Sequence, residues 1–276
     1  MRTVKTNGIN LAYEIRGQGH PLLLIAPLGY SSWFWNKLLP YFAGHFKTIT
    51  FDNRGAGGSD KPDGPYTIAL MAADTAGLLD ELGLSGAFVF GYSLGGYIAQ
   101  ELAITRPDLV SRLVLAGTNH GGRNVIPTTP EALELMTKRE GDPIELIKRG
   151  IEVATAPGFS QRRPEVVKEL VEYRLTNPVP PAQYQAQVSA GLGMLNYSDE
   201  QVRQRSASIR VPVLILFGQH DHVIPAGNAQ LMAEKLPHAE IRILPDTGHM
   251  CAIEDPAATA KVVIEFLTTD NTDVHR

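Results

Sequence analysis

Residues 87–103 read AFVFGYSLGGYIAQELA, and this stretch decides the fold. Its first four residues form a continuous apolar run, as a strand buried on both faces of a parallel sheet requires. The pattern G-x-S-x-G follows, centred on Ser93 and opening a predicted helix at 97–103. The turn between strand and helix is so tight that Gly91 and Gly95 have no room for side chains. Ser93 Oγ is then exposed at the start of the helix, where positive partial charge favours a developing anion.

Similar apolar runs recur along the chain and predict further buried strands at 22–26, 113–116, 213–217 and 241–244. Between them, apolar residues repeat at helical spacing, which predicts helices around 71–82, 229–236 and 260–267. The dipeptide Asn7-Gly8 predicts a tight hairpin near the N-terminus. Strands that alternate with helices predict an α/β fold with a mostly parallel, doubly wound sheet.

The stretch 119–206 interrupts this alternation. It contains no strand-like run, but it holds three helix starts, Thr129-Pro130, Asp142-Pro143 and Arg163-Pro164. Strand and helix patterns return at 211. We therefore expect a core formed by 1–118 and 207–276, with 119–206 inserted as a helical cap, or lid. A separate C-terminal domain is the alternative, and the return of the alternating pattern disfavours it.

Composition excludes several classes of protein. The 276 residues carry a net charge of −4, so no strong positive field is available to collect nucleic acid. The apolar runs are too short to span a membrane. Cys251 is the single cysteine, and residues 1–8 contain no apolar leader, so we expect a cytoplasmic protein.

The sequence also lacks the patterns that bind common cofactors. It has no H-E-x-x-H, no paired cysteines, no acidic calcium loop and no G-x-G-x-x-G at the first strand-to-helix turn. We therefore expect neither a metal nor another cofactor. The expected partner is a small-molecule substrate, and no oligomeric state is predicted.

Two more motifs follow predicted strands. GQHD at 218–221 follows the strand 213–217, and DTGH at 246–249 follows the strand 241–244. With the motif around Ser93, these give the order serine, acid, histidine, and the chain resembles the α/β-hydrolase family over nearly its whole length. The resemblance implies that Ser93 is the nucleophile, His249 its general base, and Asp221 the acid that orients the imidazole.

Other residues compete weakly for these roles. Asp246 and Asp255 are alternative acids, although turn and capping duties explain both. His220 and His222 flank Asp221 as loop residues. Four histidines lie in turn-like or terminal stretches without a partner motif: His20, His45, His238 and His275. We expect Cys251 to be a small buried hydrophobe rather than a reactive thiol.

The resemblance also implies an oxyanion hole with two N–H donors. One is the backbone of Leu94, the residue after the nucleophile. The other comes from the loop after 22–26, where relatives usually carry His-Gly and this chain has APLG at 26–29. Pro27 has no N–H, so Leu28 is the expected second donor.

A further glycine-rich segment, DNRGAGGS at 52–59, resembles the family's D-x-R-G-x-G-x-S. We interpret it as a structural turn in which Arg54 ties loops together. Candidate substrate contacts are Trp33, Tyr92 and His120, with ordinary packing as the alternative. Five cap arginines could hold a substrate carboxylate or could simply be solvated: Arg139, Arg149, Arg162, Arg163 and Arg174.

The resemblance implies a serine hydrolase, similar to carboxylesterases, that cleaves an ester of a small to medium hydrophobic substrate through an acyl-enzyme. The apolar content of the cap favours such a substrate. A lactonase, a hydrolase of carbon–carbon bonds or a perhydrolase could use the same three residues. A ligand-binding signalling protein with slow turnover is the alternative from another class.

Overall fold

The computed structural model describes residues 1–138 and 140–269. Arg139 and His275 therefore lie outside the described residues. Eight strands form one sheet: β1 (Arg2–Thr6), β2 (Ile9–Arg16), β3 (His20–Ile25), β4 (Phe46–Phe51), β5 (Ala87–Tyr92), β6 (Val110–Ala116), β7 (Val213–Gly218) and β8 (Glu240–Leu244). Their order is β1-β2-β4-β3-β5-β6-β7-β8. β2 pairs antiparallel with β1 and β4, and every other pairing is parallel. The predicted α/β fold with a mostly parallel sheet is confirmed.

Helices connect and cover these strands: α1 (Leu39–Phe42), α2 (Ile68–Glu81), α3 (Leu94–Thr105), α4 (Pro130–Thr137), α5 (Pro143–Ala154), α6 (Phe159–Arg162), α7 (Pro164–Thr176), α8 (Pro181–Gly193), α9 (Asp199–Ser208), α10 (Asn228–Ala233), α11 (Cys251–Glu254) and α12 (Pro256–Thr268). Short 3₁₀ turns lie at Ser32–Trp35, Pro107–Leu109 and Met194–Asn196. Helices α4 to α9 all lie between β6 and β7.

The three predicted helix starts in this insertion are confirmed. Proline occupies the first position of α4, α5 and α7. The side chains of Thr129 and Asp142 accept hydrogen bonds from backbone N–H groups in the first turns of α4 and α5. These caps satisfy donors that a helix start leaves without a partner.

The central strands are buried on both faces, which explains why their sequences do not alternate. In β3, Leu23 and Ile25 belong to one apolar layer, while Leu22 and Leu24 belong to the other. Successive side chains of a strand point to opposite faces, so each strand supplies both layers. The first layer includes residues of α2, α3 and α10, and the second includes residues of α1 and α12.

Two smaller features complete the frame. The predicted hairpin between β1 and β2 is confirmed, with φ of 47° at Asn7 and 79° at Gly8. Among the described helices, none is both long and apolar enough to cross a membrane.

Candidate active site

The turn between β5 and α3 holds Ser93 in an unusual backbone conformation. Its φ is 53° and its ψ is −115°, a combination that costs a non-glycine residue about 1–3 kcal/mol. A Cβ on Gly91 would lie 2.3 Å from the carbonyl oxygen of Gly95, and one on Gly95 would lie 2.1 Å from that of Ile25. Both glycines are therefore required for α3 to turn back so closely against β3 and β5.

His249 and Asp221 come together from two different loops. Asp221 follows β7 and His249 follows β8, and their Nδ1 and Oδ2 atoms lie 2.7 Å apart. The other carboxylate oxygen, Oδ1, accepts hydrogen bonds from the N–H groups of Val223 and Ile224 at 2.9 and 2.8 Å. Asp221 is 4% exposed. The carboxylate is thus held rigidly, and it occupies Nδ1 so that Nε2 is the ring nitrogen left for proton transfer.

Asp255 and Asp246, the alternative acids, lie at a helix cap and in a turn. Asp255 caps α12 by accepting a hydrogen bond from the N–H of Ala258 at 2.9 Å. Asp246 lies in the turn after β8 with a positive φ of 53°. Of the three candidate acids, Asp221 is the one that pairs with His249.

A glycine that the sequence analysis did not single out makes room for this pair. Gly117 follows β6 with φ 53°, and a Cβ there would lie 3.0 Å from Cε1 of His249. The same Cβ would lie 3.5 Å from Oδ2 of Asp221. The imidazole therefore packs against backbone at the end of the neighbouring strand.

Ser93 and His249 line one cavity of about 160 Å³. Its walls are mostly apolar and come from the loop after β3, from Tyr92, and from α4 and α5. The residues supplied by the two helices are Ala132, Leu135, Met136, Leu146, Ile147, Gly150, Ile151, Val153 and Ala154. A substrate in this cavity would meet hydrocarbon on most sides.

Side chains from two other segments hydrogen-bond to the loop after β3. Its Gly29 N–H donates to Oε1 of Gln187 at 3.0 Å, and Nε2 of Gln187 donates to the carbonyl of Arg54 at 3.0 Å. Asn53 Nδ2 donates to the carbonyl of Ala26 at 3.1 Å. Since the Gly29 N–H is occupied, Leu28, which lines the cavity, is the candidate donor in this loop.

Arg54 anchors the glycine-rich segment to α2. Its Nε and Nη2 atoms donate to the two carboxylate oxygens of Asp74 at 2.5 and 2.6 Å, and both side chains are buried. Asn7 Nδ2 also donates to Asp74, at 2.7 Å. Arg54 therefore holds the glycine-rich segment against α2, which is a structural role as expected.

Tyr92 both lines the cavity and contacts the histidine loop. Its ring lines the cavity, while its hydroxyl donates to the carbonyl of His249 at 2.6 Å. The hydroxyl also lies 3.0 Å from Sγ of Cys251. Burial raises the pKa of the Cys251 thiol to about 12, so it stays protonated and unreactive.

Trp33 and His120 are not brought to the cavity. Trp33 stacks on Tyr173, with ring centroids 4.0 Å apart. His120 is buried, and its Nδ1–H donates to the carbonyl of Gly121 at 2.6 Å. Burial also lowers the pKa of His120, which favours a neutral ring.

Glu254 is a buried carboxylate beside the histidine loop. One oxygen accepts the N–H of Gly248 at 2.8 Å, and the other accepts the N–H of Ala156 at 2.7 Å. Burial raises the pKa of Glu254 to about 7 despite these hydrogen bonds. Sequence reasoning missed this role because Ala156 lies 98 residues away and no local pattern signals the contact.

The described residues offer no alternative centre based on a metal. Within 1–138 and 140–269, no three side chains of histidine, cysteine, aspartate or glutamate are grouped so that they could hold a metal ion.

The chain is similar to several known proteins over most of its length. The chain is 30% identical over 272 residues to a Mycobacterium tuberculosis protein provisionally named as the non-heme bromoperoxidase BpoC, covering 95% of this chain and 98% of that protein. It is also 30% identical over 272 residues to a poly(3-hydroxyalkanoate) depolymerase of Ectopseudomonas oleovorans, covering 96% of this chain and 92% of that protein. The crystal structure of an enol-lactonase from Burkholderia xenovorans superposes with a TM-score of 0.80 at 26% identity, covering 97% and 100% of the two chains.

These relatives include hydrolases of esters and lactones. A family model described as the alpha/beta hydrolase fold matches residues 20–256, which is most of the chain. The match spans the turn at Ser93 and the loops of Asp221 and His249, so it includes every side chain of the site described above. The chain belongs to the α/β-hydrolase fold family.

Proposed function

We propose that this protein is a serine hydrolase that cleaves a carboxylic ester of a small to medium hydrophobic substrate. One observation carries the proposal: Ser93, held at a positive φ, lines the same apolar cavity as a histidine that is paired with a buried aspartate. A serine hydroxyl is a weak nucleophile until a base removes its proton. In this proposal His249 is that base, and Asp221 is the group that orients it.

In this mechanism, Oγ of Ser93 attacks the ester carbonyl while Nε2 of His249 takes the hydroxyl proton. Asp221 stabilises the imidazolium that forms. The N–H groups of Leu94 and Leu28 donate to the developing oxyanion. His249 then returns the proton to the departing alcohol. Water attacks the carbonyl of the acyl-enzyme while His249 takes a proton from it, and His249 then returns that proton to Oγ of Ser93 as the acid product leaves.

The inserted segment 119–206 is proposed to act as the lid of this cavity. Its helices α4 and α5 supply nine of the twenty residues that line the cavity. Burying an acyl chain there would stabilise binding by about 25 cal/mol per Å² of apolar surface removed from water. The small volume favours short acyl groups over long fatty chains.

The experiment has two parts, which use the purified protein. A fluorophosphonate probe should label Ser93 covalently, and p-nitrophenyl esters of increasing acyl length should be hydrolysed, with short chains preferred. The Ser93→Ala variant should lose both labelling and hydrolysis while unfolding with an unchanged midpoint. Labelling or hydrolysis that persists in this variant would contradict the assignment of the nucleophile.

A lactone is the second candidate substrate, favoured by the likeness to an enol-lactonase over 97% of this chain. A series of lactones measured beside the open-chain esters separates the two. A higher kcat/KM for the lactones would identify a lactonase. Ligand-induced stabilisation without turnover of either series would instead favour a signalling protein.

A further inference from the structure

Arg174 places a positive charge on the wall of an apolar cavity. It projects from α7 and lines the same cavity as Ser93 and His249. Among the described residues that line this cavity, Arg174 is the one lysine or arginine, and none is an aspartate or glutamate. The Arg174 side chain is half-buried, so its guanidinium loses part of its hydration, and a nearby anion would offset that loss.

No ion pair within the described part of the chain neutralises this charge. Nη1 of Arg174 donates to the carbonyl of Gly29 at 2.8 Å. Its guanidinium carbon lies 4.7 Å from the centroid of the Tyr30 ring. Burial raises the pKa of the Tyr30 phenol, which therefore stays neutral. Both contacts hold the guanidinium in place, yet neither supplies a negative charge.

Other cap arginines have different surroundings. Arg163 pairs with Glu165, and Arg162 donates to the carbonyl of Pro157. Arg149 is exposed on α5. None of these three lines the cavity. Of the four described arginines that the sequence offered as carboxylate ligands, Arg174 is therefore the one on the cavity wall.

We propose that Arg174 binds a carboxylate carried by the substrate, so that the substrate is an anionic ester or lactone with an otherwise apolar body. The proposal rests on the proposed function at Ser93. A guanidinium presents five N–H donors in a planar fork that matches a carboxylate, and the bond to Gly29 uses one of them. Because Gly29 and Tyr30 already fix the side chain, little rotational freedom is lost on binding.

Arg174 could instead serve only to hold the loop after β3 through Gly29. The two roles differ in their dependence on substrate charge. A residue that only holds the loop affects every ester alike, whereas a residue that binds a carboxylate discriminates between charged and neutral substrates.

The experiment therefore compares substrates that differ in one charge. The first pair is mono-p-nitrophenyl glutarate and its neutral methyl ester. The second pair is the butyrate ester of 4-hydroxybenzoate and that of methyl 4-hydroxybenzoate, which places the carboxylate on the alcohol side. The wild-type protein, Arg174→Gln, Arg174→Lys and Arg149→Gln are assayed with all four. Arg149→Gln is the matched control because it removes an exposed cap arginine.

We expect wild-type kcat/KM to favour the anionic member of at least one pair. In Arg174→Gln this preference should fall by about 10- to 100-fold, as for the loss of a charge-assisted hydrogen bond. Arg174→Lys should restore part of it, and Arg149→Gln should retain it. Equal losses on charged and neutral esters in Arg174→Gln, or no preference in the wild-type protein, would overturn the proposal.

Binding without turnover keeps this result separate from that of the proposed function. Glutarate should raise the melting temperature of the wild-type protein and of Ser93→Ala, but not that of Arg174→Gln. If no ester is hydrolysed and glutarate still stabilises in this pattern, the proposed function fails while the carboxylate site stands. If esters are hydrolysed and glutarate stabilises none of the proteins, the carboxylate site fails alone.

Discussion

Gly117 has no side chain, and this leaves room for the side chains of His249 and Asp221. It follows β6, and a Cβ there would crowd the imidazole of His249 and would touch the carboxylate of Asp221 at 3.5 Å. A methyl group there would approach Cε1 and Nδ1 of His249 to 3.0 and 3.1 Å. Its positive φ of 53° adds a backbone penalty for any other residue.

We expect Gly117→Ala to reduce ester hydrolysis. The added methyl group shifts the imidazole by a few tenths of an ångström, and since a misplacement of about 1 Å can cost roughly 10²-fold in rate, the loss should be smaller than that. The measurement is kcat/KM at a temperature where the variant is folded. Gly83→Ala is the matched control, since Gly83 also has a positive φ, of 64°, but nothing lies within 4 Å of its Cβ position. Equal activity in the two variants would contradict this role for Gly117.

At the scale of secondary-structure elements, one buried ion pair joins the segment after β4 to α2. Arg54 and Asp74 make two hydrogen bonds to each other, and their side chains are 6% and 2% exposed. Removing one partner of such a pair leaves the other charge buried and uncompensated.

We expect Asp74→Asn to lower the free energy of unfolding by about 3–5 kcal/mol. Urea unfolding followed by tryptophan fluorescence measures this loss. Asp80→Asn is the control, because Asp80 pairs with Arg106 at the surface, where such a pair contributes about 0–1 kcal/mol. Losses of similar size in the two variants would show that burial does not strengthen the Arg54–Asp74 pair.

The elements themselves could be predicted because their signals are local. The run at 213–217 became β7 (Val213–Gly218), and Asp255-Pro256 became the capped start of α12. The pairing of Asp221 with His249 was implied by the family resemblance, and the loops that carry the two residues end neighbouring parallel strands. Each of these depends on a few residues that are adjacent in sequence or on a sheet edge that the strand order implies.

Positions that depend on packing between distant segments could not be predicted. Trp33 lies close in sequence to the loop after β3, yet its ring turns away to stack on Tyr173, 140 residues later. Gln187 joins that loop to the carbonyl of Arg54 across 158 and 133 residues. Arg174 resembled the other cap arginines until α7 placed it on the cavity wall.

At the scale of the whole molecule, Glu254 joins the two parts that form the cavity. Its oxygens bind Gly248, beside His249, and Ala156, between α5 and α6. A single carboxylate therefore connects the histidine loop of the core with the insertion. Its protonation state bears on how firmly the two are held together.

We expect this carboxylate to make stability depend on pH. The pKa of Glu254 is raised from 4.5 to about 7, so the folded protein binds the proton more tightly than the unfolded chain. The resulting stabilisation is fully present below pH 4.5 and is lost as pH rises through 7. It amounts to roughly 3 kcal/mol at 1.36 kcal/mol per pH unit.

Unfolding free energies of the wild-type protein and Glu254→Gln at pH 5 and pH 8 measure this effect. The wild-type protein should lose stability relative to the variant as pH rises, because the variant cannot ionise at this position. Glu265→Gln, which changes an exposed residue of α12, serves as the control and should follow the wild-type curve. Parallel curves for the wild-type protein and Glu254→Gln would contradict the assignment.

The reactivity of Cys251 can report transient opening of the loop that carries His249. The chain has one thiol, and it is buried against Tyr92 two residues after His249. A thiol reagent such as DTNB should react very slowly with the native protein and at once in urea. The slow reaction rate then measures how often the histidine loop opens. A tightly bound inhibitor should lower this rate further. Immediate reaction of the native protein would show that the loop is open in solution.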